Sequence, residues 1–89
     1  MEMVNLYRGI GKTLHELGAY RAYILNSKTV SEERYALKLE IAVDGELDLE
    51  NAEKVCAEKW ENIRFTLLDL NCYEHEDIRD EAIEDGIQI

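Results

Sequence analysis

Between Ala36 and Val43 apolar and polar residues alternate without a break, with Leu37, Leu39, Ile41 and Val43 at one parity and Lys38, Glu40 and Ala42 at the other. Successive side chains of a strand point to opposite faces, so this period of two predicts a half-buried strand whose apolar face something else must cover. Lys38 and Glu40 then share the polar face. Any fold open to this chain has to bury the first face and leave the second accessible.

The flanking segments can supply the cover. Met3, Tyr7, Ile10, Leu14 and Leu17 recur at three-to-four spacing ahead of Gly18, which predicts an amphipathic helix with a glycine stop, weakened by Gly9 and Gly11. Arg21 to Leu25 reads as a short apolar strand ending at Asn26-Ser27, and Ser31-Glu32-Glu33-Arg34 as a polar loop or single helical turn. After a turn at Asp44-Gly45, Asp48 is placed to cap a second helix carrying Leu49, Ala52, Cys56, Trp60 and Ile63. Arg64 to Leu70 reads as a third strand. Glu76 to Asp85 reads as a last helix with Ile78, Ala82 and Ile83 inward and Gly86 as its stop, and Ile87-Gln88-Ile89 as a short edge strand. This order predicts one α/β (α+β) domain over residues 1–89, a small mixed sheet with helices packed on it, whose first two strands form an antiparallel pair.

Charge narrows the partners. With 20 acidic against 10 basic residues the net charge is -10, which makes nucleic acid and anionic membranes poor partners and a basic protein surface a good one. A domain of this size buries only ~60–65% of its unfolded-chain surface, so a partner or a homodimer is expected to add stability. No apolar run approaches the ~20 residues of a membrane span. Cys56 and Cys72 lack metal-ligand spacing; Cys56 reads as a core residue and Cys72 as a loop thiol with no basic neighbour to activate it. His15 and His75 have no ligand partners at suitable spacing and are expected to be exposed. The N-terminal residues lack a signal-peptide pattern, and the expected compartment is the cytoplasm, with reduced thiols. Trp60 and the five tyrosines read as core and interface anchors.

Asn26-Ser27 is followed by ten residues and then by Lys38-Leu39-Glu40 on the alternating strand. Taken with Leu17-Gly18-Ala19 before it, Phe65-Thr66-Leu67-Leu68-Asp69-Leu70 after it and the closing run from Arg79 to Ile87, this layout resembles a minimal nucleotidyltransferase (MNT) domain. Such domains belong to the DNA polymerase β-like superfamily and are paired with HEPN proteins in toxin–antitoxin operons. The resemblance covers Leu17 to Ile89 and implies a nucleotidyltransferase-like fold. In the family a Gly-Ser turn holds the triphosphate, and an Asp-x-Asp strand with a third aspartate holds magnesium. Here the resemblance implies a degenerate site, with Asn26 and Ser27 at the nucleotide- or phosphate-binding turn and Lys38, Glu40 and Thr66 at the three carboxylate positions.

The chemistry of that substitution is unfavourable to catalysis. Magnesium takes a tight octahedron of oxygen ligands, and nucleotidyl transfer uses two such ions to clamp the attacking and leaving oxygens. One carboxylate cannot build that clamp. No catalytic residue is therefore assigned and no cofactor is expected. The resemblance implies a protein that acts by association, as the antitoxin-like partner of a basic HEPN-type protein. The alternative is an active enzyme that transfers AMP from ATP to a protein hydroxyl with Glu40 as a magnesium ligand. A third reading is a small-ligand or structural dimer module that has kept only the fold. Ser27 also has a plain reading as a turn hydroxyl, and Lys38 and Glu40 as a solvated strand face.

From Glu74 to Asp85 seven carboxylates surround a single arginine, Arg79. Asp77/Glu81 and Asp80/Glu84 are like-charged at helical spacing, each pair costing a few tenths of a kcal/mol in an isolated helix. The plain reading is a solvated face. The functional reading is a docking surface in which Asp77, Asp80, Glu81 and Glu84 steer a basic partner.

Overall fold

The alternating segment is the middle of a sheet. The computed structural model describes residues 3–32, 35–70, 80 and 84–89. The elements are α1 (Met3–Glu16), β1 (Ala19–Glu32), β2 (Tyr35–Gly45), α2 (Leu49–Lys59), β3 (Ile63–Asp69) and β4 (Ile87–Gln88). They build a four-stranded sheet in the order β3-β2-β1-β4. β1 is antiparallel to both β2 and β4, whereas β2 and β3 run parallel across the α2 crossover. The small mixed α+β sheet with helices packed on it is the architecture the element order predicts. No helix among the described residues is long and apolar enough to cross a membrane.

Burial follows the alternation. Leu39 and Ile41 have no exposed surface and Val43 almost none, and they meet Ile10 and Leu14 of α1 and Ala52 and Cys56 of α2 in one core cluster. Ala22, Ile24, Phe65 and Leu67 complete the same face from β1 and β3. Fully burying a side chain of this size contributes about 1.5–3 kcal/mol. Thr13 is the one buried polar residue among those described. Its hydroxyl donates to Gly9 O at 3.0 Å and accepts from Lys59 Nζ at 3.3 Å, so its burial leaves nothing unsatisfied.

The ends of the helices are set by short-range chemistry. Asp48 is extended (φ -79°, ψ 110°), and its carboxylate accepts from Glu50 N at 3.0 Å, the N-cap expected of it. At the other end of α2 the chain leaves the helix at Trp60. Trp60 N still donates to Cys56 O at 2.9 Å, and Ile63 N turns back to Trp60 O at 3.0 Å. The second helix therefore stops short of its expected reach. Trp60 is its cap, stacked obliquely on Phe65 with ring centroids 6.1 Å apart, and Ile63 is the first residue of β3. Gly18, at φ +119°, terminates α1 in the left-handed region that glycine enters without strain.

Two strand ends depart from the sequence reading. β1 does not end at Asn26-Ser27 but runs on to Glu32, so Ser31 and Glu32, read as loop or helical turn, are strand. Pairing with β2 through Thr29↔Leu37 supplies the backbone partners that a polar sequence did not advertise. Asp44 and Gly45 likewise stay in β2, and the bend falls at Glu46-Leu47. Gly9 and Gly11 do not interrupt α1, whose buried stripe holds it on the sheet. Of the expected last helix, Asp80, Glu84 and Asp85 have helical backbone. Its inward residues Ile78, Ala82 and Ile83, and also Asp77, Glu81, Cys72 and His75, lie outside the described residues.

Two glycines separate opposite effects. A methyl group on Gly45 would lie 2.5 Å from Gly18 O and 2.7 Å from Ala19 Cα, both backbone atoms that cannot step aside. On Gly9 it would meet only the edge of the Trp60 ring at 3.4 Å, an ordinary contact. Gly45→Ala is expected to lower stability by about 2 kcal/mol or more, as overpacking does, and Gly9→Ala to leave it unchanged or raise it by up to about 1 kcal/mol through helix propensity. Urea midpoints of the two variants check both signs.

Candidate functional site

The face of the sheet turned away from α1 and α2 carries four of the five residues expected at the degenerate nucleotide site, Asn26, Lys38, Glu40 and Thr66. β2 and β3 pair Glu40 with Thr66 and Lys38 with Arg64, and β1 and β2 pair Asn26 with Glu40 and Lys28 with Lys38. Two rows therefore cross three strands side by side, Asn26–Glu40–Thr66 and Lys28–Lys38–Arg64. Asn26, Glu40, Thr66, Lys28 and Arg64 are exposed and Lys38 is half-buried. Residues two apart on a strand lie about 6.6 Å from one another along it, so the rows are near neighbours.

One residue is not brought in. Ser27 pairs with Leu39, whose side chain is in the core, and so belongs to the opposite face of the sheet from Glu40. The expected pair Asn26 and Ser27 is split between the two sides. The cause is a bulge. Ile24 pairs with Ile41 but Asn26 with Glu40, leaving Leu25 as an extra residue in β1 and reversing the parity beyond it. Without the bulge Ser27 would stand beside Lys38.

Further along the same face the surface becomes apolar. Tyr23, Ala42 and Leu70 are buried together with Leu25 against them. Ala42, expected on a solvated face, has no exposed surface. Beyond them Arg21 grips Asp44, with Nη2 at 2.8 Å and Nε at 3.1 Å from the same carboxylate oxygen. That hydrogen bond, aided by the charges of Tyr23 and Asp44, holds the Arg21 guanidinium above its ordinary pKa. Residue spacing alone did not reveal this pair. The hairpin register does, because Arg21 and Asp44 are cross-strand partners.

The two rows set what the face can do. Asn26–Glu40–Thr66 offers one carboxylate, one amide and one hydroxyl, and the neighbouring row offers three cations. A divalent ion at Glu40 would feel each of those cations at a cost of several kcal/mol at an effective dielectric near 20. This donor set does not fit a two-magnesium clamp. No group of three His, Cys, Asp or Glu side chains suited to a metal occurs among the described residues. His15, expected to be exposed, is so, yet its ring bridges two backbone oxygens, with Nδ1 2.8 Å from Ala19 O and Nε2 3.1 Å from Ile89 O. Of the acidic docking residues, Asp80 and Glu84 are exposed, four apart on helical backbone. Comparison with family models, with curated proteins and with solved structures finds no match to this chain.

Cys56 is no nucleophile. It has no exposed surface, and burial pushes its thiol up from about 9 to about 11. Its folded-state pKa lies above its unfolded one, so its contribution to stability is complete below pH 9 and is lost as pH rises toward 11. Within that window the loss approaches about 1.4 kcal/mol per pH unit. The difference between the wild type and Cys56→Ala in denaturant titrations at stepped pH isolates it, and the variant's curve should be the flatter. In the native protein Cys56 should also resist thiol reagents at neutral pH, read in a Cys72→Ser background.

Proposed function

We propose that this chain is a noncatalytic nucleotidyltransferase-like domain that works by binding a basic protein, in the antitoxin-like role that its resemblance to HEPN-paired domains implies. The observation that carries the reading is the composition of the outer-face rows. Where a transferase of that layout concentrates carboxylates, these two rows hold Glu40 alone, set between Asn26 and Thr66 and beside Lys28, Lys38 and Arg64. Such a surface favours anions over divalent cations, which leaves association as the role.

Net charge supports a basic partner. At -10 the domain attracts a positive surface over roughly a Debye length, about 8–10 Å at ordinary salt. Attraction of this kind speeds encounter and selects partners more than it adds affinity. Among the described residues of the acidic segment Asp80, Glu84 and Asp85 are exposed, which supports a docking role.

Reversing Asp77, Asp80, Glu81 and Glu84 to lysine is expected to slow association several-fold and to flatten its salt dependence while the isolated domain stays folded. Reversing Glu46 and Glu61, which are exposed elsewhere, should matter much less. Co-purification from the native host followed by stopped-flow mixing with the recovered partner checks this. Equal recovery and equal rates from both variants would return the acidic segment to a solvated face. Incubation with labelled ATP and magnesium is expected to give no AMP transfer to the partner, and transfer would instead support the enzyme reading.

A further inference from the structure

A groove of about 500 Å³ opens between α1 and β4, inside the size range of small-ligand sites. One side is apolar, formed by the Tyr7 ring and by Ile87 and Ile89. Ile87 is 54% exposed, unusual for an isoleucine in a chain with so few large apolar residues in solvent. The other side is cationic. Arg8 and Lys12 stand one helical turn apart on α1, both exposed, and neither is in an ion pair among the described residues. Like charges at this spacing repel and weaken a helix by a few tenths of a kcal/mol.

What makes the pair informative is the chain around it. Acidic residues outnumber basic ones two to one, yet among the described residues no Asp or Glu lines this groove. The walls are also built rather than incidental. A methyl on Gly11 would lie 2.8 Å from the Ile89 carbonyl carbon, so the glycine is what lets the terminal strand lie against the helix. Ile89 N donates to Ala22 O at 2.8 Å, and His15 bridges Ala19 O and Ile89 O, fixing the strand from its other side. His15 is thereby committed to the wall. The groups left to meet a ligand are the Arg8 fork, the Lys12 ammonium and the apolar strip.

We infer that this groove binds a small carboxylic acid with an apolar tail, its carboxylate held by Arg8 and Lys12 and its tail laid on Tyr7, Ile87 and Ile89. The planar guanidinium matches a carboxylate with two parallel hydrogen bonds, and the ammonium adds a point charge one turn away. A bare ion would leave the apolar strip wet, and a neutral tail would leave the two cations unmatched. The site shares no residue with the outer-face rows or with Asp77, Asp80, Glu81 and Glu84, so it stands whether or not the association reading holds.

Titration of the isotope-labelled full chain at neutral pH with octanoate, acetate and octan-1-ol tests it. Octanoate is expected to shift amides of residues 7–15 and 87–89 and to saturate in the millimolar range or below. Acetate and octan-1-ol should each bind at least tenfold more weakly, since each lacks one half of the match. Arg8→Gln with Lys12→Gln should weaken octanoate at least tenfold, and Lys12→Gln alone by a smaller factor. Both positions are exposed, so the fold, followed by circular dichroism, is expected to persist. Unchanged octanoate affinity in either variant, equal binding of octan-1-ol, or shifts centred away from the groove would overturn the assignment.

Discussion

Everything else in this domain depends on the burial of one face of β2. Leu39, Ile41 and Val43 are enclosed by two helices, and β2 is paired along both edges, antiparallel to β1 and parallel to β3. A slip of one residue in either pairing would turn Lys38 and Glu40 into the core and Leu39 and Ile41 out of it. Burying an unpaired charge costs far more than any local preference can offset. The register is therefore fixed by the core, and the outer face inherits its rows from that register. Glu40 stands opposite Thr66 because Leu39 and Ile41 have to be inside.

The helices and the edge strand are held to this sheet by close approaches at a few points. Gly18 and Gly45 let the end of α1 and the end of β2 touch through their backbones. Gly11 and His15 do the same for α1 and the terminal strand, through a missing side chain in one case and a bridging ring in the other. These contacts join the start of the chain to its last residues across the α1 side of the sheet. The groove is a consequence of that junction, since a helix crossing an edge strand leaves a trough along the strand's outer side.

How much of this was legible in the sequence differs from element to element. The alternation over Ala36 to Val43, the Asp48 cap and the Gly18 stop each rest on local rules, and each stands where those rules place it. The outer half of β1 does not. From Asn26 to Thr29 both faces of the strand are exposed, so no apolar residue marks either parity, and the segment is a strand only because β2 lies beside it. Ile63 misled for a related reason: it continues the helical spacing of Cys56 and Trp60, but the parallel partner it meets at Leu37 is distant in sequence. The candidate rows were legible in part. Lys38, Glu40 and Thr66 follow from alternation in two strands. The place of Asn26, and the removal of Ser27 to the other face, turn on a single extra residue, Leu25, that no pattern in the sequence announces.

That bulge has a physical reason. Leu25 packs on the small apolar cluster of Tyr23, Ala42 and Leu70. A regular hairpin would set Leu25 directly against Glu40 and aim Asn26 and Thr29's neighbour Lys28 toward the helix-covered side, beside Leu39 and Leu37. With the extra residue, Leu25 stays with its apolar neighbours and Lys28 joins Lys38 and Arg64 on the outer face. Like charges opposite one another in a sheet are unfavourable, so the row exists at a cost that the burial of Leu25 helps to offset. The outcome is a segregation of charge. Few bases are available to an acidic chain, and this fold gathers three of them in one row and two more beside the groove on α1. On a domain whose net charge is -10, these five cations form local positive patches, and such a patch acts over about a Debye length, ~8–10 Å at ordinary salt.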